Sequence, residues 1–157
     1  MDGKSSREAK LKAMCLLTAR DYTERGLKDK LAHAGFGQEE VDQALEYVKS
    51  FGYVDDLRFA INYTRCSVGV RSRRETERKL LEKGVSSDFV AQALIEEYSE
   101  DDDEDELIRH LIHKKCRDLS ALDYTARQKM LAYMFNKGFK TDRVNRILDE
   151  ELLDITS

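Results

Sequence analysis

The sequence predicts an all-α protein of three tandem three-helix repeats, stacked into an elongated curved array. Three observations carry that reading. No proline interrupts the 157 residues, so the commonest helix breaker is missing. The composition, 37% charged and 41% apolar, suits amphipathic helices with solvated outer faces. The chain also repeats itself around three glycines, Gly35, Gly84 and Gly138, spaced 49 and 54 residues apart.

The register around those glycines is specific. Four positions before them stand Leu31, Leu80 and Met134, and eight before stand Leu27, Thr76 and Met130. One position after come Phe36, Val85 and Phe139; six after, Val41, Val90 and Val144; ten after, Leu45, Leu94 and Leu148. Offsets of four put each pair on one face of a helix. The glycine between them supplies the left-handed residue that ends a helix, and the apolar residue after it folds back over the last turn. Each copy therefore reads helix, glycine stop, helix.

A third helix precedes each pair, over residues 7–19, 57–67 and 105–116. Start signals fit: Ser72-x-x-Glu75 and Thr125-x-x-Gln128 have the form of capping boxes, and Asp55-Asp56 and Thr141-Asp142 supply N-terminal caps. The expected units are residues 1–53, 54–98 and 105–157, with an acidic junction at 99–104. One three-helix unit cannot bury its apolar faces alone, so neighbours must stack.

The net charge of −4 hides an uneven distribution. Residues 57–85 carry eight Lys/Arg against three Glu, and residues 107–148 carry ten Lys/Arg against three Asp. Residues 100–106 are seven acids in a row, read as a solvated helix start or hinge whose carboxylates suit the helix dipole. Local charge governs local binding, so two basic segments remain compatible with an anionic partner. Apolar stretches such as residues 13–17 are too short to span a membrane, and the first 20 residues lack a secretory pattern. A cytoplasmic protein is expected. Cys15, Cys66 and Cys116 are far apart and odd in number, which suggests small packing residues rather than a disulfide or zinc framework.

Between the first two units runs Gly52-Tyr53-Val54-Asp55-Asp56-Leu57-Arg58-Phe59-Ala60. This stretch resembles the central motif of the RecX family, G-Y-L-D-D-x-R-F-A, with valine replacing leucine. Ala19-Arg20-Asp21-Tyr22-Thr23, Lys30-Leu31, Gly35-Phe36 and Leu80-Leu81-Glu82-Lys83-Gly84-Val85 also have the family's look, so the resemblance covers roughly residues 7–150. Glu75 and Thr76 depart from it, standing where arginine and an aliphatic residue are frequent. Gly26 departs too, at a position where a better helix former is usual, at a cost of about 1 kcal/mol. Within the motif, Gly52, Tyr53, Asp55, Asp56, Arg58 and Phe59 read mainly as structure: Gly52 ends a helix, Asp55 and Asp56 begin the next, and Tyr53 and Phe59 supply apolar surface.

Arg65, Arg71, Arg73, Arg74, Arg78 and Lys79 surround the second helix of the middle unit, with Arg71, Arg74 and Arg78 at helical spacing. A guanidinium offers two parallel hydrogen bonds to a phosphate or carboxylate, so the stripe suits DNA backbone, an acidic protein groove, or only water. Lys114, Lys115, Arg117, Arg127, Lys129, Lys137, Lys140, Arg143 and Arg146 form a second, more scattered set. The resemblance implies a monomeric regulator of homologous recombination and DNA repair. Its partner would be the RecA filament on single-stranded DNA, with the phosphate backbone as a further contact. It would modulate, mostly inhibit, ATP hydrolysis and strand exchange.

Catalytic signatures are missing: there is no Gly-rich phosphate loop, G-x-S-x-G or H-E-x-x-H. Glu106, His110 and His113 share one helical face but lack a fourth ligand. The chain therefore reads as no enzyme, with no cofactor and no metal. Two other classes fit the helices: a HEAT or tetratricopeptide-like scaffold binding only proteins, and a helix-turn-helix regulator reading duplex DNA through residues 141–151 or 73–83.

Overall fold

Gly35, Gly84 and Gly138 all adopt left-handed backbone, with φ of 96°, 90° and 95°, and each ends a helix. The computed structural model describes residues 2–98 and 102–156. Among them lie α1 (Asp2–Ala19), α2 (Glu24–His33), α3 (Gln38–Ser50), α4 (Asp56–Ser67), α5 (Arg73–Glu82), α6 (Ser87–Glu97), α7 (Asp102–Lys115), α8 (Tyr124–Asn136) and α9 (Thr141–Thr156). A single 3-10 turn, Leu119–Ala121, precedes α8. Of the acidic stretch, residues 99–101 of the expected junction lie outside the described residues, and α7 begins at Asp102. No described helix is long and apolar enough to cross a membrane.

At each stop the amide one residue past the glycine donates back into the last helical turn. Phe36 N–H reaches Leu31 O at 3.4 Å, Val85 N–H reaches Leu80 O at 3.1 Å and Phe139 N–H reaches Met134 O at 3.1 Å. This 6→1 closure satisfies carbonyls that a helix end leaves orphaned. The accepting residues Leu31, Leu80 and Met134 are fully buried. Every other position of the repeat register is buried as well, except Phe36, which packs half-buried against its core.

By contacts the chain gathers into two compact units, residues 1–63 with 79–93, and residues 64–78 with 94–157. In the first, α1 lies along α3, and Ala9, Ala13, Leu27, Leu31, Val41, Ala44, Leu45, Val48 and Val54 form the core. Ala9 and Ala13, one turn apart with no exposed surface, allow α1 to approach closely. In the second, α7, α8 and α9 enclose Leu107, Ile108, Ile112, Leu119, Met130, Met134, Phe139, Val144, Ile147 and Leu148.

Two hydroxyls tie the repeats together. Thr23 Oγ1 accepts from Gly26 N–H at 3.0 Å, capping α2, and donates to Lys83 O at 2.8 Å, 60 residues away. Ser72 Oγ does the same one repeat later, accepting from Glu75 N–H at 3.0 Å and donating to Lys137 O at 2.7 Å. The N-terminus of α2 thus abuts the Gly84 stop, and that of α5 abuts the Gly138 stop. A Cβ on Gly84 would lie 2.7 Å from Arg25 Cβ, and one on Gly138 would lie 2.6 Å from Ser72 Oγ and 3.2 Å from Glu75 N. Gly26 has a related reason, since a Cβ there would crowd Thr23 Oγ1 at 3.0 Å.

Several expected starts are corrected. Helix α8 is capped by Asp123, whose carboxylate accepts from Ala126 N–H at 2.7 Å, so Thr125 lies inside the first turn. Extended backbone at Asp123 aims a charged acceptor at the free amides, which outcompetes the hydroxyl two residues on. Thr141 is already the first residue of α9. Asp55 caps α4 by accepting from Arg58 N–H, whereas Asp56 serves a different helix, accepting from Glu24 N–H at 2.8 Å. Cys15 and Cys66 are exposed, not packing residues.

Alanine at the three stop glycines should separate left-handed strain from crowding. Gly35 has open space around its missing Cβ, so Gly35→Ala should cost only the conformational penalty of about 1–2 kcal/mol. Gly84→Ala should cost more, because Arg25 must move. Gly138→Ala should cost most, because a backbone amide and the Ser72 cap are in the way. Urea denaturation of the three variants gives the order; equal losses would show that the stops are not seats for neighbouring helices.

Candidate nucleic-acid interface

The six cations assigned to the middle repeat fall into different environments. Arg73 and Arg74 open α5, are exposed, and have no side-chain partner among the described residues. Arg78 is exposed one turn after Arg74, and Lys79 beside it is half-buried. Arg71 does not continue their stripe. It precedes the helix, is half-buried, donates from Nη1 to Ser67 Oγ at 3.2 Å, and its carbonyl accepts from Tyr98 Oη–H at 3.0 Å. Helical spacing from residue 71 fails because Ser72 is the cap. Arg65 is exposed and paired with Glu97 at 3.0 Å.

Thr76 explains one departure from the family pattern. It is fully buried, donates to Ser72 O at 3.0 Å, and lies 2.7 Å from the Tyr98 hydroxyl. Burial pushes the Tyr98 phenol above its usual range, partly offset by the bond to Thr76. The pair forms a satisfied polar cluster under the start of α5, holding Ser72 in place to cap it.

The second basic set is largely neutralised. Arg143 pairs with Glu104 at 2.9 Å and with Asp105, Arg146 pairs with Asp105 and Glu150, and Arg127 pairs with Asp149 at 2.8 Å. Glu104 also accepts from the backbone N–H of Arg73 at 3.1 Å, so a carboxylate sits at the positive end of α5. The described end of the acidic run therefore clasps α9 and the first amide of α5. These partners, far apart in sequence, left no local signal.

Within the motif, Gly52 takes φ 72° and Tyr53 N–H closes on Val48 O at 3.1 Å, a fourth stop of the same kind. Arg58 Nη1 donates to Gly52 O at 2.9 Å, satisfying a carbonyl of that turn. Asp56 is half-buried; desolvation raises its carboxyl pKa, opposed by the bond from Glu24 N–H. Phe59 is half-buried and stacks on Tyr63 at 6.1 Å. Tyr53 departs from a packing role: it is 45% exposed and stacks on Phe51. Sequence reasoning passed over Tyr47 and Phe51, although their four-residue spacing puts both rings on one side at the end of α3, where Phe51 is the cap residue.

Glu106, His110 and His113 do share the outward side of α7, lining a groove with Arg109. His113 Nε2 lies 2.6 Å from Glu151 Oε2. Among the described residues no group of three or more His, Cys, Asp or Glu could hold a metal ion.

Fold and surface define a class: an all-helical protein of successive three-helix domains carrying an arginine-rich central helix. Comparisons with known proteins narrow it. Sequence models of the RecX first and third three-helix domains match residues 9–47 and 102–148. The regulatory protein RecX of Haemophilus influenzae is 33% identical over 132 residues, 81% of this chain and 84% of that protein. That of Trichlorobacter lovleyi is 30% identical over 148 residues, 89% of this chain and 93% of that protein. The crystal structure of RecX from Lactobacillus salivarius superposes with a TM-score of 0.78 at 19% identity, covering 96% of this chain and 99% of that one. The chain belongs to the RecX family of regulatory proteins.

Asp105 offers a pH test of the acidic clasp. Burial alone would raise its pKa, but the hydrogen bonds and charges of Arg143 and Arg146 outweigh that and hold it below the ordinary 3.8. A depressed folded pKa means its contribution to stability is complete above about pH 4 and lost as pH falls through the folded value. Asp105→Asn should lower stability at neutral pH by about 1–3 kcal/mol and flatten the loss on acidification. Melting midpoints between neutrality and about pH 3 check this; an unchanged acid slope would show that the clasp is not coupled to folding.

Proposed function

We propose that this chain is a non-catalytic, cytoplasmic regulator of homologous recombination and DNA repair. It acts as a monomer by binding the RecA filament on single-stranded DNA and restraining its ATP hydrolysis and strand exchange. Membership of the RecX family supplies the direction of this reading. The structural observation that carries it is the start of α5, where Arg73 and Arg74 project without carboxylate partners among the described residues. Arg78 and Lys79 extend the cationic surface along α5.

A cationic helix start of this kind can grip phosphate oxygens with bidentate, charge-assisted bonds. A filament presents the same features again and again along its length, so several weak contacts from one chain sum to a stable hold. Ser72, Thr76 and Tyr98 fix the backbone from which those arginines project, while Arg65, Arg127, Arg143 and Arg146 are held in ion pairs.

The chain should slow ATP hydrolysis by RecA assembled on single-stranded DNA, and its affinity should fall steeply with salt. Reversal of Arg73, Arg74 and Arg78 to glutamate should relieve that inhibition without lowering stability by more than about 1 kcal/mol. Hydrolysis untouched by the wild-type chain would overturn the reading. Filament binding that survives the triple reversal at physiological salt would overturn the residue assignment.

A further inference from the structure

Tyr47, Phe51 and Tyr53 form a cluster of stacked rings on the surface of the first compact unit. Phe51 and Tyr53 lie nearly parallel, with centroids 5.6 Å apart and planes at 20°. Tyr47 meets Phe51 edge-on at 5.1 Å. Tyr47, Phe51 and Tyr53 are 39%, 57% and 45% exposed as residues. The fold does not demand this. At the Gly84 and Gly138 stops the equivalent apolar residues, Val85 and Phe139, are 3% exposed, whereas the Gly52 stop turns Tyr53 outward onto Phe51. Large contiguous rings left in water usually mark a binding surface.

Two cations border the rings, with the Asp55 carboxylate turned onto the Arg58 backbone N–H at 3.1 Å. Lys10 Nζ sits over the Tyr47 ring, 5.1 Å from its centroid, and Arg58 is pinned next to Tyr53 through Gly52 O. Neither cation has a carboxylate partner among the described residues. Stacked aromatic faces bordered by unneutralised cations are the chemistry that takes unpaired bases and their phosphates.

We propose that Tyr47, Phe51 and Tyr53 form a base-stacking site for single-stranded nucleic acid, with Lys10 and Arg58 holding the adjoining phosphates. The site is distinct from the start of α5 and does not depend on filament regulation. Tyr53 and Arg58 then have a binding role that the packing of the motif leaves open.

The test is fluorescence anisotropy of a labelled oligothymidylate of about a dozen nucleotides and an abasic oligomer of equal length, with the full chain and no RecA present. The wild type should prefer the base-bearing strand by about tenfold. Phe51→Ala/Tyr53→Ala should abolish the preference while keeping its melting midpoint, and Tyr53→Trp should retain it. Reversal of Arg73 and Arg74 should weaken both strands alike and leave the ratio intact, so loss of filament inhibition and loss of base preference are read separately. Equal affinity of the wild type for the two strands overturns the proposal, whether or not the double variant folds. So does a double variant that loses filament binding but keeps its base preference, since the rings would then face protein.

Discussion

A serine or threonine hydroxyl can accept and donate at once, and Thr23 and Ser72 do both. Each caps the start of one helix and donates to the carbonyl just before the glycine stop of the next repeat. A cap is worth about 1 kcal/mol, and the outward bond satisfies a carbonyl that would otherwise be an orphaned helix-end acceptor. The consequence is geometric as much as energetic. The helix starts at Glu24 and Arg73 must come close to Gly84 and Gly138, and only a residue without Cβ leaves the room. Glycine there answers two demands, left-handed backbone and contact with a neighbouring helix.

The pattern does not extend to every stop. Gly35 is left-handed like the others but has no atom within 4 Å of its missing Cβ. Helix α8 is capped by Asp123, and an ionised carboxylate can accept but not donate. The same backbone device thus serves as a joint at Gly84 and Gly138 and as a plain helix end at Gly35. Charge follows a similar division. Glu104 and Asp105 consume Arg143 and Arg146 in holding α7 to α9, which leaves the exposed guanidiniums of Arg73 and Arg74 as cations not committed to the fold.

The register of glycines and apolar residues was legible because helix periodicity and left-handed stops leave local, repeated traces. The helices around Gly35, Gly84 and Gly138 and almost every core position of the register follow from it. Ser72 was legible as a cap, but its second bond was not, because Lys137 lies 65 residues away and nothing local distinguishes a donating hydroxyl. Asp123 and Thr125, two residues apart, offer similar cap signals in sequence, and the extended backbone at Asp123 decides between them. Arg71 precedes the Ser72 cap, so its spacing from Arg74 is not a helical one. Ring exposure at Tyr53 was hidden because an apolar residue past a glycine stop ordinarily folds inward, and only the neighbouring Phe51 diverts it.

Amide hydrogen exchange on Ser72→Ala tests the joint most directly. If the hydroxyl couples the repeats, exchange should accelerate at Glu75 and also at Gly138 and Phe139, whose amides close the stop beyond the lost bond. Acceleration confined to residues 73–76, with Gly138 and Phe139 as protected as before, would contradict the account.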